Sequence, residues 1–397
     1  MTTKEIPFSQ PFIGKEEIEE VTGVLKGKWI TTGEKVKEFE NNVKDFLGVN
    51  MAVAVSSGTA ALDISLSVNN VCDKDEVITT PYTFVSTVLS IIHRGAHPVL
   101  IDIEAETFNI DINKILEYIN TNYIKTSKGL RSKTRKKYLK GIIAVHFAGQ
   151  SADLDELNKI AEENELFLIE DAAHAIGAKY KGIKIGNSKN AVCFSFYSNK
   201  NITTGEGGMI VKQSNKDEDI YRKLSLHGIS KNNVERYKTG LPFYDVEYAG
   251  YKNNLTDIQA AIGVAQMKKI EHITKRRNLI AKWYDGFLQN LSFIDIPKIK
   301  SHNYSARHLY PILIKPELKE KRDSILIYLR KNKIFPSVHF VPIHFFSFFK
   351  KYYSKKETEN LKISEDMFFR EISLPVFPEL TKTKVELIVK TLKKYNN

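Results

Sequence analysis

FLIEDAAHAIGAKYKGIKIGNSKNAVCFSFYSNKNITTGEGGM, Phe167 to Met209, holds two apolar runs of strand length, each leading to a residue with chemistry to offer. The first delivers Asp171 at its end, and the second, Ala191 to Phe196, leads to Lys200. Runs that are apolar on both faces suit strands of a parallel sheet covered on both sides. The glycine-rich Gly205 to Gly208 fits a tight backbone passage. It is no dinucleotide fingerprint, because it precedes an apolar strand instead of opening a helix.

The same grammar recurs outward along the chain. Short apolar runs at Met51–Val55, Val77–Thr80, Pro98–Asp102 and Gly141–His146 alternate with helical stretches, such as the one with Leu154, Leu157 and Ile160 on one face. That alternation predicts an α/β fold with a mostly parallel sheet of seven strands. Ligands of such sheets collect at the carboxyl ends of strands, where Asp171, Ser57 and Lys200 fall. Ser57, Gly58 and Thr59 are small and open a helix after a strand, so unpaired N–H groups and the positive helix end suit a phosphate there. Phe84 stands at another turn from strand to helix, where an aromatic ring serves either as core or as a stacking surface.

A lysine and a carboxylate so placed suit pyridoxal phosphate. The lysine holds the aldehyde as a Schiff base, and the acid keeps the pyridine nitrogen protonated so that the ring absorbs the electrons of a carbanion. A close, partly dry ion pair favours the protonated nitrogen by roughly 1–3 pKa units. Lys200 and Asp171 are the candidates.

EDAAHAIGAKYKG (170–182) and SFYSNKNITTGEGGM (195–209) resemble two blocks of the DegT/DnrJ/EryC1/StrS family of sugar aminotransferases, pyridoxal-phosphate enzymes of fold type I. SSGTAAL (56–62), PYTF (81–84), WITTG (29–33), VHFVPIH (338–344) and ISLPVFPELT (372–381) extend the likeness over nearly the whole chain from Ile6. The resemblance implies that Lys200 condenses with the cofactor and Asp171 pairs with its ring nitrogen. It also implies His174 beside the ring face and phenolic oxygen, Ser195 on the phosphate with Ser57, Gly58 and Thr59, and Phe84 over the ring. Thr31 or Thr32, His339 and His344 border the sugar site by the same likeness. Relatives that carry histidine in place of the lysine dehydrate sugars instead; this chain keeps the lysine.

The family further implies a homodimer with shared sites, in which Asn254 reaches the neighbour's cofactor phosphate; Asn253 stands where an aromatic is usual. It implies glutamate as amino donor, pyridoxamine phosphate as the intermediate form, and a nucleotide-linked 4-keto-6-deoxy hexose as acceptor, for glycan or lipopolysaccharide synthesis. HFAGQSADLDEL (146–157), WITTG and the GYKNN block (250–254) look most like members that aminate carbon 4. A 3-keto sugar or 4-keto pentose acceptor shares nearly every motif.

Length and composition bound the rest. The 397 residues permit a large lobe, 1–255, and a linking helix with a small C-terminal α+β lobe, 256–397. No apolar run reaches membrane length, and the start MTTKEIPFSQPF lacks a signal-peptide design, so a cytoplasmic enzyme is expected. Cys72 and Cys193 are too few for a disulfide framework, and no metal-ligand spacing occurs, so no metal is expected. Net charge is +12, and 125–140 carries eight cations without an acid. That run reads as a solvated, lengthened loop; a nucleic-acid-binding regulator is the reading of another class, although stacking aromatics at regular spacing are missing. Ile18, Val21, Val24 and Leu25 predict an amphipathic helix ending near Gly27, Trp29 reads as a buried turn residue, and the segment from Thr256 reads as one long helix with Ile258, Ile262, Ala265 and Ile270 inward.

Overall fold

The large sheet of the computed structural model, which describes residues 5–230 and 244–396, is built on seven strands. These are β1 (Met51–Val55), β2 (Asp75–Thr79), β3 (His97–Leu100), β6 (Tyr138–Val145), β7 (Phe167–Asp171), β8 (Ala191–Ser195) and β9 (Gly208–Lys212). Their order is β1-β9-β8-β7-β6-β2-β3, and β8, β7, β6, β2 and β3 run parallel. Only β9 opposes its neighbours along this path. The mostly parallel pairing expected holds over these seven strands, and a hairpin beside β6 brings the sheet to nine.

Alternation along β1 shows how the sheet builds two cores. Ala52 and Ala54 face one apolar cluster with Phe39 and Phe194, whereas Met51, Val53 and Val55 face another with Leu62 and Leu66. A second, antiparallel sheet, β10 (Ile294–Asp295), β11 (Tyr310–Ile314) and β12 (Glu371–Leu374), packs in a separate cluster with Ile280, Tyr284, Ile388 and Leu392. The polar, aromatic stretch Leu226–Asn254, which reads as a crossing between the lobes, falls partly on 231–243, outside the described residues.

Three local readings change. The segment after Thr256 forms two helices, Asp257–Met267 and Ile270–Leu288. Ala265 and Ile270 are buried as expected, but Ile258 and Ile262 are only half-buried, and the buried face of the first helix also takes in Ala260, Ala261, Gly263 and Val264. A Cβ on Gly263 would lie 2.7 Å from Phe39 Cε2, so this helix approaches Glu34–Leu47 too closely for large side chains, which turn outward. In the N-terminal helix Lys15–Gly27, Val24 is buried while Ile18 and Leu25 are 63% and 55% exposed. Buried Glu17 takes their place, accepting from Gly14 N, Gln266 Nε2 and Lys269 Nζ. Trp29 is 37% exposed, its Nε1 donating to Thr32 O.

The basic run folds as a hairpin, β4 (Tyr123–Thr126) with β5 (Gly129–Ser132), that leads into β6 and pairs with it. Arg135 sits 3.3 Å from Glu76, which is buried on β2, and 2.8 Å from Glu357 near the C-terminal lobe. Tyr123 OH donates to the other Glu76 oxygen at 2.6 Å. A buried carboxylate without such partners would be costly, which explains why the cation turns inward.

Asp257 closes the start of helix Glu34–Leu47. Its Oδ1 accepts from Gly33 N at 2.8 Å and Val36 N at 3.0 Å, two N–H groups that the helix itself cannot satisfy. Asp257→Ala lowers unfolding stability by about 1–2 kcal/mol in chemical denaturation, and Asp257→Asn, which keeps an acceptor oxygen, loses less.

Candidate active site

Strand ends converge on one cavity of about 610 Å³. From β7 comes Asp171, from β8 Ser195, and from the turn after β1 Ser57, Gly58 and Thr59. Phe84, at the start of helix Val85–His93, stands on the rim with 61% exposure. His174, Lys200 and His339 complete the set that the sequence places here.

Ser57 caps helix Gly58–Val68, its Oγ accepting from Ala60 N at 3.0 Å. The next backbone groups of that helix start are available to an anion. A Cβ on Gly58 would lie 2.9 Å from Ser195 Cβ, and one on Gly208 would lie 2.3 Å from Ser57 O. Only residues without side chains let these three segments meet so closely, which shapes a cup of phosphate size.

Asp171 is 6% exposed and held from two sides: its Oδ1 accepts from Ala173 N at 3.2 Å and its Oδ2 from Thr87 Oγ1 at 2.7 Å. Thr87 in turn meets Thr83 Oγ1 at 2.8 Å. The carboxylate keeps lone pairs for a further donor. Lys200 has no hydrogen-bond partner for its amine among the described residues. Desolvation pulls the amine down to about 8, against the opposing pull of Asp171. Burial, with Lys200 next, holds His174 well below the ordinary histidine value, so its ring is neutral. His174 Nδ1 is buried without a partner.

These features fit pyridoxal phosphate. A small-residue cup suits its phosphate, a buried carboxylate its ring nitrogen, an unpaired amine its aldehyde, and the orphaned His174 nitrogen one of its polar substituents.

Thr31, Thr32, Asn254 and His344 are not brought into this cavity. Thr31 O accepts from Asp257 N, and Thr32 Oγ1 donates to Leu255 O at 2.5 Å and accepts from Asn254 Nδ2 at 2.7 Å. His344 Nε2 pairs with Glu365 at 2.9 Å. Conversely, the cavity wall includes His308, which no motif in the sequence singled out. Its Nδ1 faces Asn201 Oδ1 at 3.2 Å, and its ring centroid lies 4.2 Å from that of His174. Thr87 was also missed. The signal available for it was the pair Thr83 and Thr87, four apart across the start of helix Val85–His93.

Among the described residues no group of histidine, cysteine or acidic side chains could hold a metal ion, and no helix is long and apolar enough to cross a membrane.

Comparison with known proteins points to the same cofactor. The model of the DegT/DnrJ/EryC1/StrS aminotransferase family matches residues 11–393. The spore coat polysaccharide biosynthesis protein SpsC of Bacillus subtilis is 38% identical, over 98% of this chain and 96% of its own. Among solved structures, Spr1654 of Streptococcus pneumoniae, described as a sugar aminotransferase, superposes in its PMP form with a TM-score of 0.88 at 32% identity, covering 98% of each chain. It is also known in a PLP form. PseC of Helicobacter pylori, an aminotransferase involved in the biosynthesis of pseudoaminic acid, superposes with a TM-score of 0.87 at 30% identity, covering 98% of this chain and 99% of that one.

Proposed function

We propose, for a chain that belongs to the DegT/DnrJ/EryC1/StrS aminotransferase family, that it moves an amino group from glutamate to the 4-keto group of a nucleotide-linked 4-keto-6-deoxy sugar. The chain is a pyridoxal-phosphate-dependent sugar aminotransferase with a place in sugar or polysaccharide biosynthesis. The donor, the keto position and the nucleotide are the finer reading. The observation that carries the aminotransferase reading is the sharing of one cavity by Lys200, Asp171 and the small-residue cup; the finer reading rests on the family resemblance.

Pyridoxal phosphate supplies an aldehyde that carries the amino group and a ring that withdraws electrons from the substrate carbon. Lys200 Nζ takes the proton from the donor's α-carbon as general base and delivers it as general acid. An amine near 8 is unprotonated in roughly a tenth of molecules at pH 7, against less than a thousandth for an ordinary lysine. The Asp171 carboxylate, steadied by Thr87 and Ala173 N, would accept the ring N–H and hold that proton in place. Ser57, Ser195 and the helix start would hold the phosphate, and Phe84 on the rim would cover the ring, where stacking is worth about 0.5–1.5 kcal/mol.

A second copy of the chain completes each site in this reading. Ile18, Leu25 and Ile30 are more than half exposed, an apolar surface that suits a partner. Asn254 lies outside its own cavity, which supports a role in the neighbour's. Both cysteines are free, Cys72 exposed and Cys193 buried, which supports a cytoplasmic setting.

Two measurements test this. The pyridoxamine-loaded enzyme, offered UDP-, dTDP- and GDP-linked 4-keto and 3-keto sugars, converts a 4-keto-6-deoxy sugar fastest; preference for a 3-keto sugar or a 4-keto pentose overturns the assignment. Mixed dimers of Lys200→Ala and Asn254→Ala chains regain activity in one site of two. Failure to regain any excludes the shared site.

A further inference from the structure

Glu371, Ser373 and His339 form a continuous hydrogen-bonded chain that ends at the cavity wall. Glu371 and Ser373 lie two apart on β12, so both side chains point to one side of the small sheet, and both are fully buried. Ser373 Oγ lies 2.5 Å from Glu371 Oε1 and 2.9 Å from His339 Nδ1. The other carboxyl oxygen, Oε2, accepts from His339 N at 2.9 Å, so that oxygen is always an acceptor. His339 Nε2 has no partner among the described residues, and His339 lines the cavity.

A hydroxyl has one proton to give, so the chain has a direction. When Glu371 is ionised, Ser373 donates to Oε1 and must accept from His339 Nδ1–H, leaving Nε2 bare. When Glu371 carries a proton, Oε1–H donates to Ser373, Ser373 donates to His339 Nδ1, and the ring proton sits on Nε2. The two states differ by one proton overall, and the imidazole is neutral in both.

We propose that Glu371 and Ser373 are positioning residues for His339, the proton on Glu371 deciding whether Nε2 meets the substrate as a donor or as an acceptor. The donor form suits an oxygen that can only accept, such as the keto or phosphate oxygen of the nucleotide-linked sugar, and this assignment of the ligand rests on the function proposed above. The surroundings place both states within reach. Burial raises Glu371 to about 8, against the hydrogen bonds from Ser373 and His339 N and the charge of Arg322. Tyr82 is the other titratable group facing Glu371, and burial raises it well above the ordinary tyrosine value, so it stays neutral. On the cavity side, desolvation and then Lys200 lower His339 to about 3, so the ring itself does not charge.

Glu371→Gln separates the possibilities. His339 N–H requires the amide oxygen on its side, so the NH₂ faces Ser373 and locks the donor form. Histidine ¹⁵N spectra of the holoenzyme, with His339 assigned by His339→Gln, read the tautomer directly. At about pH 9.5 the wild type shows protonated Nδ1 and Glu371→Gln shows protonated Nε2, whereas at about pH 6.5 the two agree. Ser373→Ala breaks the chain, and its tautomer does not follow pH. The KM for the keto sugar rises about three- to tenfold in the wild type between these pH values and stays level in Glu371→Gln. Identical tautomers in wild type and Glu371→Gln at the higher pH, or a Ser373→Ala ring that still switches, overturn the relay whatever the sugar is. A switching ring with a level wild-type KM overturns the placing of a sugar oxygen at Nε2.

Discussion

Lys200→Ala still gathers pyridoxal phosphate in its cavity, but kcat for amino transfer falls at least about ten-thousandfold. Two losses combine. The cofactor is no longer held covalently, and the amine that carries the proton between substrate carbon and cofactor is gone. Asp171, Ser57 and Ser195 remain, so phosphate and ring nitrogen keep their partners and binding weakens less than turnover. Absorbance separates these effects: the visible band of the lysine-bound cofactor disappears in the variant, whereas equilibrium dialysis still finds cofactor on the protein. A variant that kept both the band and the activity would remove Lys200 from its role.

Asp171→Asn lowers kcat roughly a thousandfold while KM changes little. The amide is the same size: its oxygen still accepts from Ala173 N, and its NH₂ donates to Thr87 Oγ1, whose own proton turns to Thr83 Oγ1, so the fold is undisturbed. It carries no charge. The protonated ring nitrogen loses an ion pair worth roughly 1–3 pKa units, and the electron-withdrawing state that matters only during reaction loses its support. Stopped-flow absorbance with the amino donor alone isolates this half of the reaction. An unimpaired rate in Asp171→Asn would show that another group holds the ring proton.

The parts of the fold that were legible in sequence are those dictated locally. A strand buried on both faces reads as an unbroken apolar run, so β1, β7 and β8 and the residues at their ends announced themselves. Contacts made across long separations did not. Thr87 meets Asp171 across 84 residues, and nothing in a threonine at helical spacing says which acid it will face. The run at 125–140 reads as solvated because its acidic partners, Glu76 and Glu357, are distant in sequence. Ile258 and Ile262 misled for another reason: periodicity assumes that the apolar face is the buried one. Where two helices touch at Gly263 and Phe39, the closeness of the backbones selects small residues, and the isoleucines are left for other surfaces. Glu371, an acid inside an apolar strand, is the kind of local conflict that marks a site, yet its partners Ser373 and His339 become visible only in the folded chain.

The desolvated amine of Lys200 also bears on the life of the protein before it works. A newly synthesised chain that folds ahead of its vitamin-derived partner must keep that amine where a charge is disfavoured, a burden on the order of 3 kcal/mol at neutral pH. The unfolded chain binds that proton more readily, so the burden is full below about 8 and fades as pH climbs towards the ordinary lysine value. Capture of the aldehyde removes it and adds ligand binding on top. Under the proposed role of Lys200, cofactor supply sets two quantities at once, the fraction of molecules able to react and the fraction that resists unfolding, and limited proteolysis of cofactor-free against loaded protein checks it.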